Sequence, residues 1–382
     1  MPEILGNLEP APKIGATPNF RPGIEFDGFE GEATTPGYSD KPDFDAFLLD
    51  AGFDPEEIDI VGTPRTSRWQ RYDGDWLTSY RFSFRKKNKS IDLPALMAEA
   101  RRAKPVQSKP TGDEKALVVC PADFQIGKTG SRGGTKELIA RLMRSFTLIE
   151  GVAKQGKYER IYVLDLGDLI ESVSSKASMN QLDGNDLSVP QQVDAGAALL
   201  FDLIKRLHKF APITYGSIAS NHCQNRVNGQ QVGKPGLDDW GIVVAQQLKR
   251  LTSELGWDVT YLVPQPYDEG FAFQYGVNTV GVVHGHQASR PDAMEAWWQK
   301  QTFSNQWSAP CNLLLHGHWH HTSVRELGNH VTGGSRFIVM GPSSDSGSDW
   351  WRNAGGGGDA STGILTLELD KHTLFRGTVR VY

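Results

Sequence analysis

Leu313-Leu314-Leu315-His316-Gly317-His318-Trp319-His320 is an apolar run that ends in Gly-His-x-His. Such a run reads as a buried strand whose end delivers two imidazoles into one small space. The glycine before the first of them allows a sharp turn and close backbone approach. Neutral imidazole nitrogens suit Mn, Fe, Zn and related ions. By itself a His pair at this spacing is more often surface or core histidine, so the decision rests on what the rest of the chain adds.

Four further apolar runs each end in a polar ligand type. Ala116-Leu117-Val118-Val119-Cys120 runs into Asp123-Phe124-Gln125, and Ile161-Tyr162-Val163-Leu164-Asp165-Leu166 into Gly167-Asp168-Leu169-Ile170-Glu171. Ile213-Thr214-Tyr215-Gly216-Ser217-Ile218 leads into Ser220-Asn221-His222, and Thr279-Val280-Gly281-Val282-Val283 into His284-Gly285-His286. Short buried strands with helical segments between them place these ligands along one edge of a sheet, where open α/β sheets bind their ligands.

Taken in this order, the Asp-x-Gln, Gly-Asp-x-x-Glu, Asn-His, His and Gly-His-x-His motifs resemble those of the calcineurin-like metallophosphoesterase superfamily over roughly residues 114–382. The resemblance implies a four-layer α/β/β/α sandwich and two divalent metal ions, Mn²⁺ first, with Fe or Zn as alternatives. Residue by residue it implies Asp168 as a carboxylate bridging the two metals. Asp123 and His320 would serve the first metal, and Asn221, His284 and His318 the second. His222 would stand outside them to protonate the leaving oxygen or steady the transition state. Two cations about 3.5–4 Å apart can hold a phosphate, acidify a bridging water and stabilise charge on attacking and leaving oxygens. A histidine beside them, with an ordinary pKa of about 6.5, matches general acid work near neutral pH.

Three positions depart from the family pattern. Gln125 stands where a His is usual, which implies a neutral amide ligand or one ligand fewer, and so an exchangeable first metal. Ser220 replaces the usual Gly before Asn-His, and Cys223 stands where an acidic residue commonly follows; both bear on turn geometry and on contacts behind the ligands. Gly127-Lys128-Thr129 ends like a phosphate-binding loop, but Ala122 occupies the place of the upstream glycine and the Walker A reading fails. Lys128 and Arg132, in the Gly-rich loop after Asp123, and Arg352, before Gly355-Gly356-Gly357-Gly358, are candidates for substrate phosphate contact, with solvent exposure the alternative for the first two. His286, His316 and His321 read as structural neighbours of the ligands, and His208, His330 and His372 as surface residues.

The chain has 382 residues, 38% hydrophobic and 22% charged, with a formal net charge of −5, a profile that suits a globular protein with room for an accessory domain. No run approaches about 18 consecutive apolar residues, and the start Met1-Pro2-Glu3-Ile4-Leu5-Gly6 is neither basic nor apolar; no membrane segment or secretory signal is expected. Cys120, Cys223 and Cys311 are too few and scattered for a disulfide framework, which fits a reducing cytoplasm. The general style is similar to phosphoesterases encoded by bacteriophages, in which case that cytoplasm is the host's.

Residues 1–60 hold fourteen Asp and Glu against three Lys and Arg, and residues 1–42 read as an extended acidic, Pro/Gly-rich arm open to docking or to a protein partner. Residues 43–103 read as a small α+β domain. It has a short helix from Asp45 to Ala51, then a hairpin of Thr66 to Tyr72 and Leu77 to Arg85 around Asp73-Gly74. Tyr80, Phe82 and Phe84 share one face, Arg81 and Arg85 the other. Between residues 65 and 89 eight Lys and Arg oppose only Asp73 and Asp75. Phosphate contact plus base stacking by Arg68, Arg71, Arg81 and Arg85 is one reading; a half-buried hairpin whose aromatics are simply its core is the other. A helix over 93–102 and a linker over 104–113 lead to the catalytic domain, 114–382. Its segments 172–192 and 290–307 and the stretch from Ser343 to Arg352 are expected around the metals.

His284-Gly285-His286-Gln287, the basic-aromatic hairpin and the accessory domain look most like the SbcD-type exonuclease branch of the superfamily. The expected activity is therefore metal-dependent hydrolysis of nucleic-acid phosphodiesters, most readily DNA. One alternative is a phosphomonoesterase or small-nucleotide phosphodiesterase. Another is a nucleic-acid- or protein-binding module with a weakened, non-catalytic metal site.

Overall fold

The computed structural model describes residues 22–26, 30–39, 43–86, 108–130, 133–172, 184–227, 230–345 and 362–382. The chain divides into two compact units, Met1–Ser90 and Ile91–Tyr382.

In the first unit β1 (Gly23–Phe26), β2 (Glu30–Thr34), β3 (Ile58–Gln70) and β4 (Trp76–Lys86) form an antiparallel sheet in the order β1-β2-β4-β3. β1 and β2 fall in the stretch read as an extended arm, and that reading is corrected for them. Ile24, Phe26 and Ala33 are sparse apolar positions in an acidic, glycine-rich context, yet they pack on Leu48, Ile58, Phe82 and Phe84. The helix Phe44–Asp50 starts at Asp43, whose Oδ1 accepts the N–H groups of Asp45 and Ala46. Phe82 and Phe84 are buried in this small core, so the alternation in β4 records packing. On the opposite face Arg81 is paired with Glu32. Arg85 lies in register with Glu30 and Asp59. At the far end of the hairpin the Arg68 guanidinium lies 5.0 Å over Trp76, and that of Arg71 lies 6.0 Å over Tyr72 and 3.4 Å from Asp73. The helix expected over 93–102 lies outside the described residues.

Among the described residues the second unit has two large sheets. β5 (Lys115–Cys120), β6 (Arg160–Asp165), β7 (Ile213–Ser217), β10 (Val259–Leu262), β16 (Leu365–Asp370) and β17 (Val379–Val381) run in the order β10-β7-β6-β5-β16-β17. β11 (Phe271–Tyr275), β12 (Asn278–Val282), β13 (Leu313–His316), β14 (Ser323–Asn329) and β15 (Ser335–Met340) run β11-β12-β13-β15-β14. A third pairing joins the two-residue strands β8 (Arg226–Val227) and β9 (Gln230–Gln231). Period-two alternation decides where the cores sit. Ala116, Val118 and Cys120 of β5 share one core with Val280, Val282, Leu313, Leu315 and Val339 of the other sheet. Leu117 and Val119 instead join the helices Thr135–Gln155, Val189–Leu207 and Trp240–Glu254. Leu314 and Ile338 pack on Met294 and Trp298 of the helix Ala293–Phe303. The unit is thus a mixed α/β structure with its ligand-bearing strands divided between two sheets, rather than on the single sheet edge expected from the runs alone.

Two segments expected around the metals contain helix: Val189–Leu207 begins inside 172–192, and Ala293–Phe303 lies inside 290–307. Trp298 is a core residue whose Nε1–H donates to the Ser308 carbonyl at 2.9 Å. His208, read as a surface residue, is buried and stacks on Trp257 at 4.8 Å, because it directly follows a helix whose inner face is apolar. Among the described residues no helix is long and apolar enough to cross a membrane.

Candidate metal centre

β5, β6 and β7 are parallel neighbours in one sheet, and β12 and β13 in the other. Their C-terminal ends carry Asp123, Asp168, Asn221, His284 and His318. Backbone hydrogen bonds lace these loops together: Asp123 N–H to Gly167 O at 3.0 Å, Gln125 N–H to Asp168 O at 2.9 Å and Gly317 N–H to His284 O at 2.9 Å. Both Asp123 carboxylate oxygens accept the His318 N–H, at 3.2 and 3.0 Å.

Asp123, Gln125, Asp168, His318 and His320 have φ of 50°, 45°, 50°, 74° and 57°, the left-handed region that few side chains favour. They are five of the seven non-glycine residues with positive φ among those described. Such a concentration of sparsely populated backbone geometry is typical of sites where position outweighs relaxation. Glycine is required beside them. A Cβ on Gly167 would stand 2.6 Å from Ser220 Cβ and 2.7 Å from His284 Nδ1, and one on Gly317 would stand 2.6 Å from Asp123 Oδ2.

At the centre, the buried His284 ring faces the Leu166 carbonyl with Nδ1 at 2.7 Å. A carbonyl only accepts, so Nδ1 carries a proton, and Nε2 faces Asp168 Oδ2 at 2.9 Å and Asn221 Oδ1 at 3.0 Å. In the chain without metal a second ring proton, on Nε2, can bond these oxygens, and a divalent ion would displace that proton and take the Nε2 lone pair. His318 completes the set: Asp168, His284 and His318 each offer a ligand atom within 4.8 Å of the others. This mixture of carboxylate, amide oxygen and imidazole fits a divalent ion of the Mn, Fe or Zn kind.

The charges agree with that geometry. Burial opposes ionisation of Asp168, but His284 and His222 beside it hold its carboxyl well below the usual range. Burial also opposes charge on His284, yet Asp168 lifts its ring to about 9. Burial and the nearby His284 push His318 down to about 3, leaving it neutral with a lone pair to give.

His222 adjoins the cluster. Its backbone N–H donates to Asp168 Oδ1 at 2.9 Å, and its Nδ1 lies 3.1 Å from the Glu171 carbonyl and 3.3 Å from the Glu171 carboxylate. Burial works against the imidazolium, but Asp168 and Glu171 prevail and raise it to about 10. It is therefore a protonated donor at neutral pH with Nε2 left for a partner.

The Asp123 side differs. His320 Nε2 lies 3.5 Å from Asp123 Oδ1, and its Nδ1 lies 3.9 Å from Asp345 Oδ1. Gln125 Oε1 accepts a hydrogen bond from Lys128 Nζ at 2.5 Å, and the same ammonium donates to Asp345 Oδ2 at 2.5 Å. Lys128 is thus held rather than solvated. Arg132 and Arg352 lie outside the described residues. Arg68, Arg71, Arg81 and Arg85 belong to the first unit.

Three residues here were not singled out by sequence reasoning for the parts they play. Ser220 Oγ accepts the Asp168 N–H at 2.8 Å, so the departure from glycine supplies a contact that fixes the central carboxylate. Glu171 was visible only as the end of the Gly-Asp-x-x-Glu motif. Asp345, buried in a serine-rich stretch, carried no signal beyond its charge. The spare histidines each have a contact within the protein: His316 Nδ1 faces the Gly317 carbonyl at 2.9 Å, His321 Nδ1 the Trp319 carbonyl at 2.8 Å, and His286 Nε2 lies 3.4 Å from Glu269.

No family model matches the chain, and no curated protein matches it. Solved structures do. A single mutant of Vps29 from Entamoeba histolytica is 12% identical with a TM-score of 0.30, covering 67% of this chain and 87% of its own. A predicted phosphoesterase from Streptococcus pneumoniae is 12% identical with a TM-score of 0.26, covering 70% and 97%. A protein of unknown function from Aquifex aeolicus is 13% identical with a TM-score of 0.22, covering 53% and 78%. At such scores the functional reading rests on the site itself.

Proposed function

We propose that this chain is a metal-dependent phosphoesterase of the calcineurin-like kind, with a four-layer α/β/β/α catalytic unit, and that it hydrolyses nucleic-acid phosphodiester bonds. The observation that carries the reading is the convergence of Asp168 Oδ2, His284 Nε2 and Asn221 Oδ1, with His318 beside them and a protonated His222 against the same carboxylate. A divalent ion held by Asp168, Asn221, His284 and His318 would draw charge from a phosphate oxygen and acidify a water.

The chain's own residues do the rest. Asp168, clamped by Ser220 and His222, keeps its carboxylate oriented and ionised. His222, held through Nδ1 by Glu171, presents Nε2–H to the leaving oxygen, where a proton is needed as the ester bond breaks. Nucleic acid as substrate is favoured by the hairpin end of the first unit, where Tyr72 is 98% exposed and Trp76 50% exposed beside Arg68 and Arg71. Exposed rings with guanidinium groups suit base stacking and phosphate contact.

The test is hydrolysis of end-labelled single- and double-stranded DNA and of bis(p-nitrophenyl) phosphate in Mn²⁺, with chelated protein and His222→Ala as controls. DNA cleavage that needs both the metal and His222 is the expected result. Turnover of the small diester alone would move the substrate to small phosphodiesters. No turnover of either by protein that binds Mn²⁺ would leave a binding module.

A further inference from the structure

The positions that the family resemblance gives to the other metal, Asp123, Gln125 and His320, stand around a side chain that is already cationic. Lys128 Nζ donates to Gln125 Oε1 and to Asp345 Oδ2, both at 2.5 Å. Asp345 in turn faces His320 Nδ1 at 3.9 Å, and His320 Nε2 faces Asp123 Oδ1 at 3.5 Å. The chain Asp123–His320–Asp345–Lys128–Gln125 is largely buried, with the Lys128 side chain 17% exposed and that of Asp345 4%. Among the described residues the only set of three or more His, Cys, Asp or Glu with converging ligand atoms is Asp168, His284 and His318.

We infer that this chain binds a single divalent metal ion, at Asp168, Asn221, His284 and His318, and that the Lys128 ammonium, seated between Gln125 and Asp345, takes the place of a second one. The inference rests on the metal-dependent reading above and narrows it. Two features argue for the substitution. Gln125 offers a neutral amide where an anionic or imidazole ligand would bind a metal more strongly, and its oxygen is already engaged by the ammonium. A fixed positive charge in a poorly solvated site also repels a divalent ion, because the interaction is weakly screened there. Such an ammonium can still attract a phosphate oxygen as a point charge, without providing a second site at which water is acidified.

The experiment is metal counting on the full chain. Chelated and desalted protein is titrated with Mn²⁺ by calorimetry, and the loaded protein is analysed for metal content and by electron paramagnetic resonance. One equivalent per chain with an isolated six-line Mn²⁺ signal is expected. The double variant Lys128→Met with Gln125→His should rise to two equivalents and show an exchange-coupled signal. Two equivalents in the unaltered chain would overturn the inference while leaving the metal-dependent reading intact, and no bound metal would overturn both. A folded double variant that stays at one equivalent would overturn the role of Lys128. The count on the unaltered chain decides the main claim even if the double variant does not fold.

Discussion

The two halves of the candidate centre are built from the same materials and differ in what balances their charge. Around His284 a carboxylate, an amide oxygen and two imidazoles converge, and the proton on His284 is one that a metal ion can displace. Around Gln125 a lysine fills the equivalent need from within the chain. A buried cluster of acceptors must be met by positive charge, and an external ion or an internal side chain can meet it; only the first can be removed with a chelator.

The largest effect should come from destroying the first half outright. Asp168→Ala is expected to abolish Mn²⁺ binding and to lower hydrolysis by well over the roughly 100-fold that an outer contact costs, read by calorimetry and by steady-state rates. If Mn²⁺ still bound with unchanged stoichiometry, the two halves would have been assigned the wrong way round. Next, His222→Ala should separate binding from turnover, with a rate loss of about 10²–10⁴-fold and unchanged metal stoichiometry. Ser220→Ala touches only the contact behind Asp168. It should weaken metal affinity or rate by about 10–100-fold, and an effect as large as that of Asp168→Ala would mean the loop itself had collapsed.

The smallest effect is one of pH. His284 and His222 have folded-state pKa values raised to about 9 and about 10, so in chelated protein their contribution is complete below about 6.5, the ordinary histidine value, and is lost as pH rises through 9 and 10. The melting temperature in chelator should therefore fall between pH 6.5 and 10. The increase in melting temperature on adding Mn²⁺ should grow over the lower part of that range, since the metal replaces the proton on His284. A metal-induced shift that shrank with rising pH would exclude His284 as a ligand.

Much of the centre was legible because its ligands follow apolar runs directly: β5, β6, β7, β12 and β13 were each visible as strands, and the polar residue at each end is set by where the strand stops. Contacts across long sequence separation were not. Lys128 meets Asp345 over 217 residues, and Asp168 meets Ser220 over 52, with no local pattern in either partner to announce the meeting. Periodicity also reports burial without reporting against what, which is why the apolar runs alone pointed to one sheet edge while two sheets came only from the family resemblance, and why β4 of the first unit could be read either as a stacking surface or as packing. β1 and β2 were lost for the opposite reason. Their few apolar side chains are diluted by acids and glycines, and only pairing, of β2 with β4 and of β1 with β2, makes strands of them.

The left-handed backbone at Asp123, Gln125, Asp168, His318 and His320 sets these positions apart in any course of substitution. Each non-glycine residue held there stores on the order of 1–2 kcal/mol, which glycine would release while removing the functional group. Selection for thermal endurance alone would thus press the same five positions toward glycine that selection for chemistry must keep as they are. A descendant freed from its reaction would be expected to lose this corner first, and to become hardier in doing so.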